Sequence, residues 1–154
     1  MKKLIIGLAL LAGCQKTVTT LPAPASRPGV TAGGAATGGT SPRAALDGFM
    51  AAVKAGDLQA MGTFWGTDQG PALTLMPQAE REERELIMVC YLKHDSYKVT
   101  DEQPGMDGKR VLSVTVTRKD LSRSTNFTMV AGPGARWYVL SMQMDPLRDL
   151  CAQR

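Results

Sequence analysis

Ser41-Pro42-Arg43-Ala44-Ala45-Leu46-Asp47-Gly48-Phe49-Met50-Ala51-Ala52-Val53-Lys54-Ala55-Gly56-Asp57 decides how this chain folds. Ser41 can cap a helix whose first position is Pro42, where the missing N–H costs nothing. Leu46, Phe49, Met50 and Val53 then fall at i, i+3, i+4 and i+7, which is one apolar face. Gly56 suits the left-handed position that ends a helix, and Asp57 can cap a second, short helix carrying Leu58, Met61, Phe64 and Trp65. Residues 66–71 break it. A third helix starts near Gln78. Its first half, Glu80, Glu82, Glu83 and Glu85 with Arg81 and Arg84, reads as a solvated face with i,i+3 and i,i+4 pairs. The following Leu86-Ile87-Met88-Val89-Cys90-Tyr91-Leu92 would suit a buried strand by periodicity alone. Helix is favoured, because good helix formers run on from Ala79 without a breaker.

Past His94 the apolar period changes from 3.6 to 2. Four strand-like runs follow: 96–103, 109–119, 124–131 and 136–144, punctuated by Pro104-Gly105 and by Gly132-Pro133-Gly134. Leu112, Val114 and Val116 alternate with Ser113, Thr115 and Thr117, the mark of a half-buried antiparallel strand. In the last run both alternating sets hold apolar residues, so that strand is expected to be covered on both faces over part of its length. Helices first and hairpin-linked strands afterwards is the α+β pattern, with helices on one face of an antiparallel sheet.

Three N-terminal helices and a curved meander of four strands resemble the nuclear transport factor 2-like cone. The residues that carry the resemblance are Ala44 to Asp57, an apolar helix with an Ala-Gly-Asp break, and the closing Arg136-Trp137-Tyr138-Val139-Leu140-Ser141. It covers roughly residues 42–146. The resemblance implies a pocket at the open end of the cone, and Tyr91, His94, Asp95 and Trp137 are the candidates to line it. Enzymes of that superfamily, such as ketosteroid isomerases and dehydratases, place Asp, His or Tyr there for proton transfer. Such chemistry needs a carboxylate or imidazole held near neutral pKa by an apolar pocket. Here the strand positions expected to face the cavity are aliphatic, Met, Ser or Thr, which points to binding rather than catalysis.

Working back to the N-terminus, Lys2 and Lys3 precede an apolar run from Leu4 to Leu11, then Ala12-Gly13-Cys14. This is the layout of a secretory signal peptide, too short for a membrane span of roughly 20 residues. Leu11-Ala12-Gly13-Cys14 resembles a bacterial lipobox. That resemblance implies removal of residues 1–13 and palmitate-type acylation at Cys14, two or three chains that anchor stably where one would not. Gln15 is not the Asp that holds many such lipoproteins in the inner membrane, which points to the inner leaflet of the outer membrane, facing the periplasm. Residues 14–40, rich in Pro, Gly, Ala and Thr, bury too little to repay ordering and read as a disordered tether. Residues 41–154 make a single domain.

Charge and motifs narrow the function classes. Without Lys2 and Lys3 the chain carries 16 basic against 14 acidic side chains, a balance of +2. Basic residues are scattered, so no nucleic-acid footprint is visible. There is no phosphate loop, metal-spaced His/Cys pair or Gly-x-Ser-x-Gly elbow, and no cofactor or metal is expected. The sole histidine, His94, falls where the third helix should end and suits a role capping its carbonyls. With Cys14 acylated, Cys90 and Cys151 remain as an even pair in an oxidising compartment. A disulfide between them is expected if the tail after the last strand reaches the third helix. The alternative is two separate thiols, one buried and one in a loose tail. The sequence thus describes a lipid-anchored envelope module that binds a small hydrophobic ligand or an envelope protein. Its rival is a small isomerase-, dehydratase- or hydrolase-like enzyme using His94, Tyr91 or Asp95.

Overall fold

The structure is a computed structural model and describes residues 37–152. The expected signal peptide, Cys14 and the tether up to residue 36 lie outside the described residues. Helix α1 (Pro42–Ala55) starts where Ser41 Oγ accepts the Ala44 N–H at 3.1 Å and ends at Gly56, left-handed at φ +67°. Asp57 Oδ1 accepts the Ala60 N–H at 2.9 Å and opens α2 (Leu58–Phe64). Each cap satisfies a backbone donor the helix leaves free, worth about 1 kcal/mol. Where only a break is expected, the chain makes a two-residue ladder of β1 (Gly66–Thr67) and β2 (Gly70–Pro71), then a single turn, α3 (Ala72–Leu75). Helix α4 spans Gln78–Leu92, so the apolar run 86–92 is helical, as its unbroken helix formers require.

Four antiparallel strands follow in the order β3 (Ser96–Pro104), β4 (Arg110–Arg118), β5 (Leu121–Gly132), β6 (Arg136–Met142). Strand β5 begins three residues earlier than expected, because Lys119, left-handed at φ +52°, turns the chain tightly and pairs Arg118 with Leu121. Asp95 Oδ2 accepts the Lys119 N–H at 2.6 Å and fixes that turn. Strand β6 stops at Met142, two residues short of expectation. The chain then turns through residues 145–147 into a helix the sequence does not announce, α5 (Arg148–Ala152).

The period-2 and period-3.6 patterns meet in the core. Leu46, Phe49, Met50 and Val53 of α1 pack over Leu112, Val114, Val116, Phe127 and Met129, all buried. Burial of each such side chain contributes about 1.5–3 kcal/mol. The other sheet face is wet. There Ser113 bonds Asn126 (2.9 Å), Thr115 bonds Ser124 (3.1 Å) and Thr117 bonds Ser122 (2.8 Å), a cross-strand ladder of hydroxyl and amide groups. Tyr138 and Val139, neighbours on β6, are both buried, so that strand is covered on both faces as expected. Bulges bend the sheet at two places: Thr100 is extra in β3 and Leu140 is extra in β6.

The two edges differ. Gly39 exchanges backbone hydrogen bonds with Trp137 of β6, both 2.9 Å, and Trp65 lies beside Val139. Arg136 donates to the Thr37 and Gly38 carbonyls (2.9 and 2.7 Å), and Thr37 Oγ1 lies 3.2 Å from the Tyr138 hydroxyl. The tether boundary at residue 40 is therefore corrected: residues 37–39 already belong to the folded unit, because β6 offers them backbone partners. Strand β3, at the other edge, is exposed and carries Lys98, Asp101, Glu102 and Pro104 around its bulge.

Cys90 of α4 and Cys151 of α5 are joined by a disulfide, with Cα atoms 4.8 Å apart. Closing a loop of 61 residues is worth about 4 kcal/mol in the chain-entropy model. Urea unfolding of the Cys90→Ser, Cys151→Ser double variant is expected to show a loss of that order and a somewhat steeper slope, because the unfolded chain freed of its loop exposes more surface. A loss under about 1 kcal/mol would mean that the bond adds nothing to a tail already held by packing.

Candidate functional site

An apolar concave feature adjoins the bulge at Leu140. It lies between α4 and β6, a groove of about 260 Å³ walled by Trp65, Ile87, Met88, Leu140, Met142 and Met144. Arg84 and Ser141 are its polar members. Arg84 is held at the rim by Glu80, 2.6 Å away on the same helix. Ile87 is about half exposed, and Leu86 beside it is 60 % exposed. The groove is thus apolar and open to solvent on one side, the kind of concave surface that takes a ligand or a partner side chain. Three methionines line it, side chains that adapt to irregular partners.

The four residues proposed from sequence for a shared pocket are not brought together. Tyr91 lines a cavity with the disulfide, and His94 and Asp95 line another with Asp47, Lys54, Ser96 and Tyr97. Trp137 packs against the core at the start of β6. His94 does cap α4: its Nδ1 donates to the Leu92 carbonyl at 2.8 Å, which places the neutral ring's proton on Nδ1. Burial, with Lys54 adding to it, lowers the His94 pKa, so the ring is neutral at pH 7. It meets the Tyr97 ring edge-on at 5.4 Å. Tyr97 in turn donates to Asp47 Oδ1 at 2.6 Å, and burial followed by that bond raises its pKa. Asp95 faces Lys119, and its own carbonyl accepts from Lys54 Nζ at 2.7 Å. His94 and Asp95 are neighbours in sequence without forming a base and its orienting acid.

The solvated reading of the charged half of α4 is corrected. Glu80 and Arg84 are exposed, but Arg81 and Glu85 are buried, 3 % and 0 % exposed, with Nε 3.5 Å from Oε1. Arg81, Glu85, Met88 and Leu92 form one inward stripe, so the apolar face of the helix continues through two charges. The i, i+4, i+7, i+11 spacing was the available signal; residue type hid it. Gly62 of α2 makes the room: a Cβ there would come 3.0 Å from Arg81 Cδ and 3.1 Å from Glu85 Oε1. Burial raises the Glu85 pKa to about 7 against the opposing pull of Arg81. Both carboxylate oxygens lack hydrogen-bond partners among the described residues.

Compared with protein-family models and with curated protein sequences, the chain matches none. No helix among the described residues is long and apolar enough to cross a membrane. No group of three or more His, Cys, Asp or Glu among them could hold a metal ion.

The buried pair generates a pH-dependent expectation. With a folded pKa of about 7 against 4.5 for the free group, native Glu85 binds more protons than the unfolded chain across that window. Stability therefore falls as pH rises from about 4.5 to 7. Arg81→Met strands the carboxylate and is expected to cost about 3 kcal/mol at pH 8, and distinctly less at pH 5, where Glu85 takes up a proton. Adding Glu85→Leu should restore stability and abolish the difference between the two pH values. Equal losses at both pH values in urea unfolding would contradict the buried-pair assignment.

Proposed function

We propose that this protein is a lipid-anchored component of a bacterial cell envelope whose domain is a nuclear transport factor 2-like cone. It acts as a non-catalytic binding or scaffolding module. The groove between α4 and β6 carries the reading: its walls are apolar, its polar members are a paired arginine and a serine, and no carboxylate or imidazole lines it. At about 260 Å³ it sits just below ordinary ligand pockets, about 300–1,000 Å³. A short apolar group fits, such as the end of a hydrophobic small molecule or one or two side chains of an envelope partner. The cone reading is supported by α1, α2 and α4 preceding a bulged four-stranded antiparallel meander.

The enzymatic alternative rests on the His94 cavity. There Asp47 is bound by Tyr97 and Arg43, and Asp95 by Lys119, which leaves the imidazole without a carboxylate to orient it. The three ionisable groups whose surroundings shift their pKa, Glu85, His94 and Tyr97, all lie outside the groove. Binding is the better-supported class.

Two experiments test the reading. In bacterial fractionation the full chain is expected in the envelope membrane, with accumulation of the unprocessed precursor under globomycin and release to the soluble fraction in Cys14→Ala. Unchanged membrane association of that variant would remove the anchor. For the groove, Trp137→Phe leaves Trp65 as the sole tryptophan. Titration of that chain with 1-anilinonaphthalene-8-sulfonate should quench Trp65 saturably, and Leu140→Glu should weaken the dye at least tenfold, the factor given by about 1.4 kcal/mol. A dye response indifferent to Leu140→Glu, in a variant with unchanged circular dichroism, would rule the groove out.

A further inference from the structure

A larger cavity lies at the C-terminal end of α4, about 660 Å³, with walls from α4, the end of β4 and α5. Its charge is one-sided. Lys93, Arg118 and Arg148 line it, and no carboxylate among the described residues does. Of the nearby acids, Asp149 is engaged by Arg123 at 2.6 Å and Asp95 accepts the Lys119 N–H, whereas Asp145 pairs at 2.8 Å with Arg148 itself, at an exposed position. Arg118 is fixed, because its Nη1 donates to the Leu150 carbonyl at 2.7 Å, while its remaining N–H groups meet no carboxylate among the described residues. Lys93 makes no ion pair there either. Three cations share one concavity; Asp145 offsets Arg148 from an exposed position, and the end of α4 offers Lys93 and Arg118 only about half a negative charge.

We infer that this cavity is a binding site for a phosphate-type oxyanion, held by Lys93, Arg118 and Arg148. A guanidinium presents paired donors that match phosphate geometry, and the ammonium adds a point charge. Tyr91 contributes a phenol to the same wall. The disulfide completes the site: it ties Cys151, and with it the short α5 that carries Arg148, to Cys90 on the opposite wall. The site is separate from the apolar groove and does not depend on the reading given to it. Its ligand is either free phosphate or the phosphodiester of an anionic lipid head group.

The test uses the full chain carrying Cys14→Ser, so that no acyl group is attached. Inorganic phosphate is titrated while amide signals of residues 89–93 and 148–152 and the Arg118 Nε–H are followed by 1H–15N NMR. In parallel the protein is sedimented with phosphatidylglycerol and with phosphatidylcholine vesicles. Saturable shifts confined to those signals, weakened about tenfold by Lys93→Gln and by Arg118→Gln but not by Lys98→Gln, are the expected result. Lys93→Gln is the cleaner probe, since the Lys93 side chain makes no hydrogen bond or ion pair among the described residues, whereas Arg118 also holds α5. Phosphate binding without preference for phosphatidylglycerol assigns the free ion. Sedimentation with phosphatidylglycerol that Lys93→Gln abolishes, without a response to phosphate, assigns the head group. No saturable response in either arm, or responses that both Gln variants leave unchanged, would overturn the proposal.

Discussion

Phe49 meets Phe127 edge-on, ring centres 6.5 Å apart, and that contact joins the first helix to the third strand of the sheet. Around it the whole fold is arranged. An antiparallel sheet with alternating Leu112-Ser113-Val114-Thr115-Val116 can hide one face only, and the helix stripe that hides it must be as wide as two strands. Helix α1 supplies most of that stripe, and α4 extends it with Met88 and Leu92. Once those helices lie on the sheet, the end of β6 is left beside α4, and the groove between them follows. The same placement brings the last turn of α4 within disulfide reach of α5.

Much of this was legible because two independent signals agreed. Ser41, Gly56 and Asp57 each sit where their side-chain or backbone chemistry demands, and the apolar spacing between them matches the helix they bound. The strands are equally plain in the alternation of β4. What escaped the sequence are features in which tertiary contacts override local character. Gly66, Gly70 and Pro71 are breakers, yet the chain pairs them in a ladder braced on β6 through Trp65. Thr37, Gly38 and Gly39 look like linker, and their order comes from partners a hundred residues away. Arg81 and Glu85 look like surface, and Gly62 on another helix is what lets them in. The candidate pocket failed for a related reason. Tyr91 lies one turn before His94 and Asp95, and the exit from α4 leaves Tyr91 beside the disulfide while His94 and Asp95 line a separate cavity with Tyr97.

Helix α4 thus serves three neighbourhoods with one set of periodicities. Arg81, Glu85, Met88 and Leu92 face the interior, Arg84 and Ile87 border the groove, and Cys90, Tyr91 and Lys93 border the cationic cavity. The buried ion pair is a weak source of stability, since removing two charges from water offsets most of their attraction. Its consequence is specificity of placement: α4 cannot rotate without exposing Met88 and Leu92 or carrying an unpaired charge into apolar surroundings. A helix fixed in that way keeps both concave surfaces in register with the strands that complete them.

The open edge of the sheet has a consequence of its own. Wherever copies of a protein meet at high concentration, an unpaired strand is an invitation to continue the sheet from one molecule into the next. Strand β3 declines it. Lys98, Asp101 and Glu102 keep the edge charged and hydrated, Pro104 withholds a donor, and the extra residue at Thr100 breaks the straight run of amides a second strand would need. Crowded molecules of this kind can touch along that edge and still remain individuals.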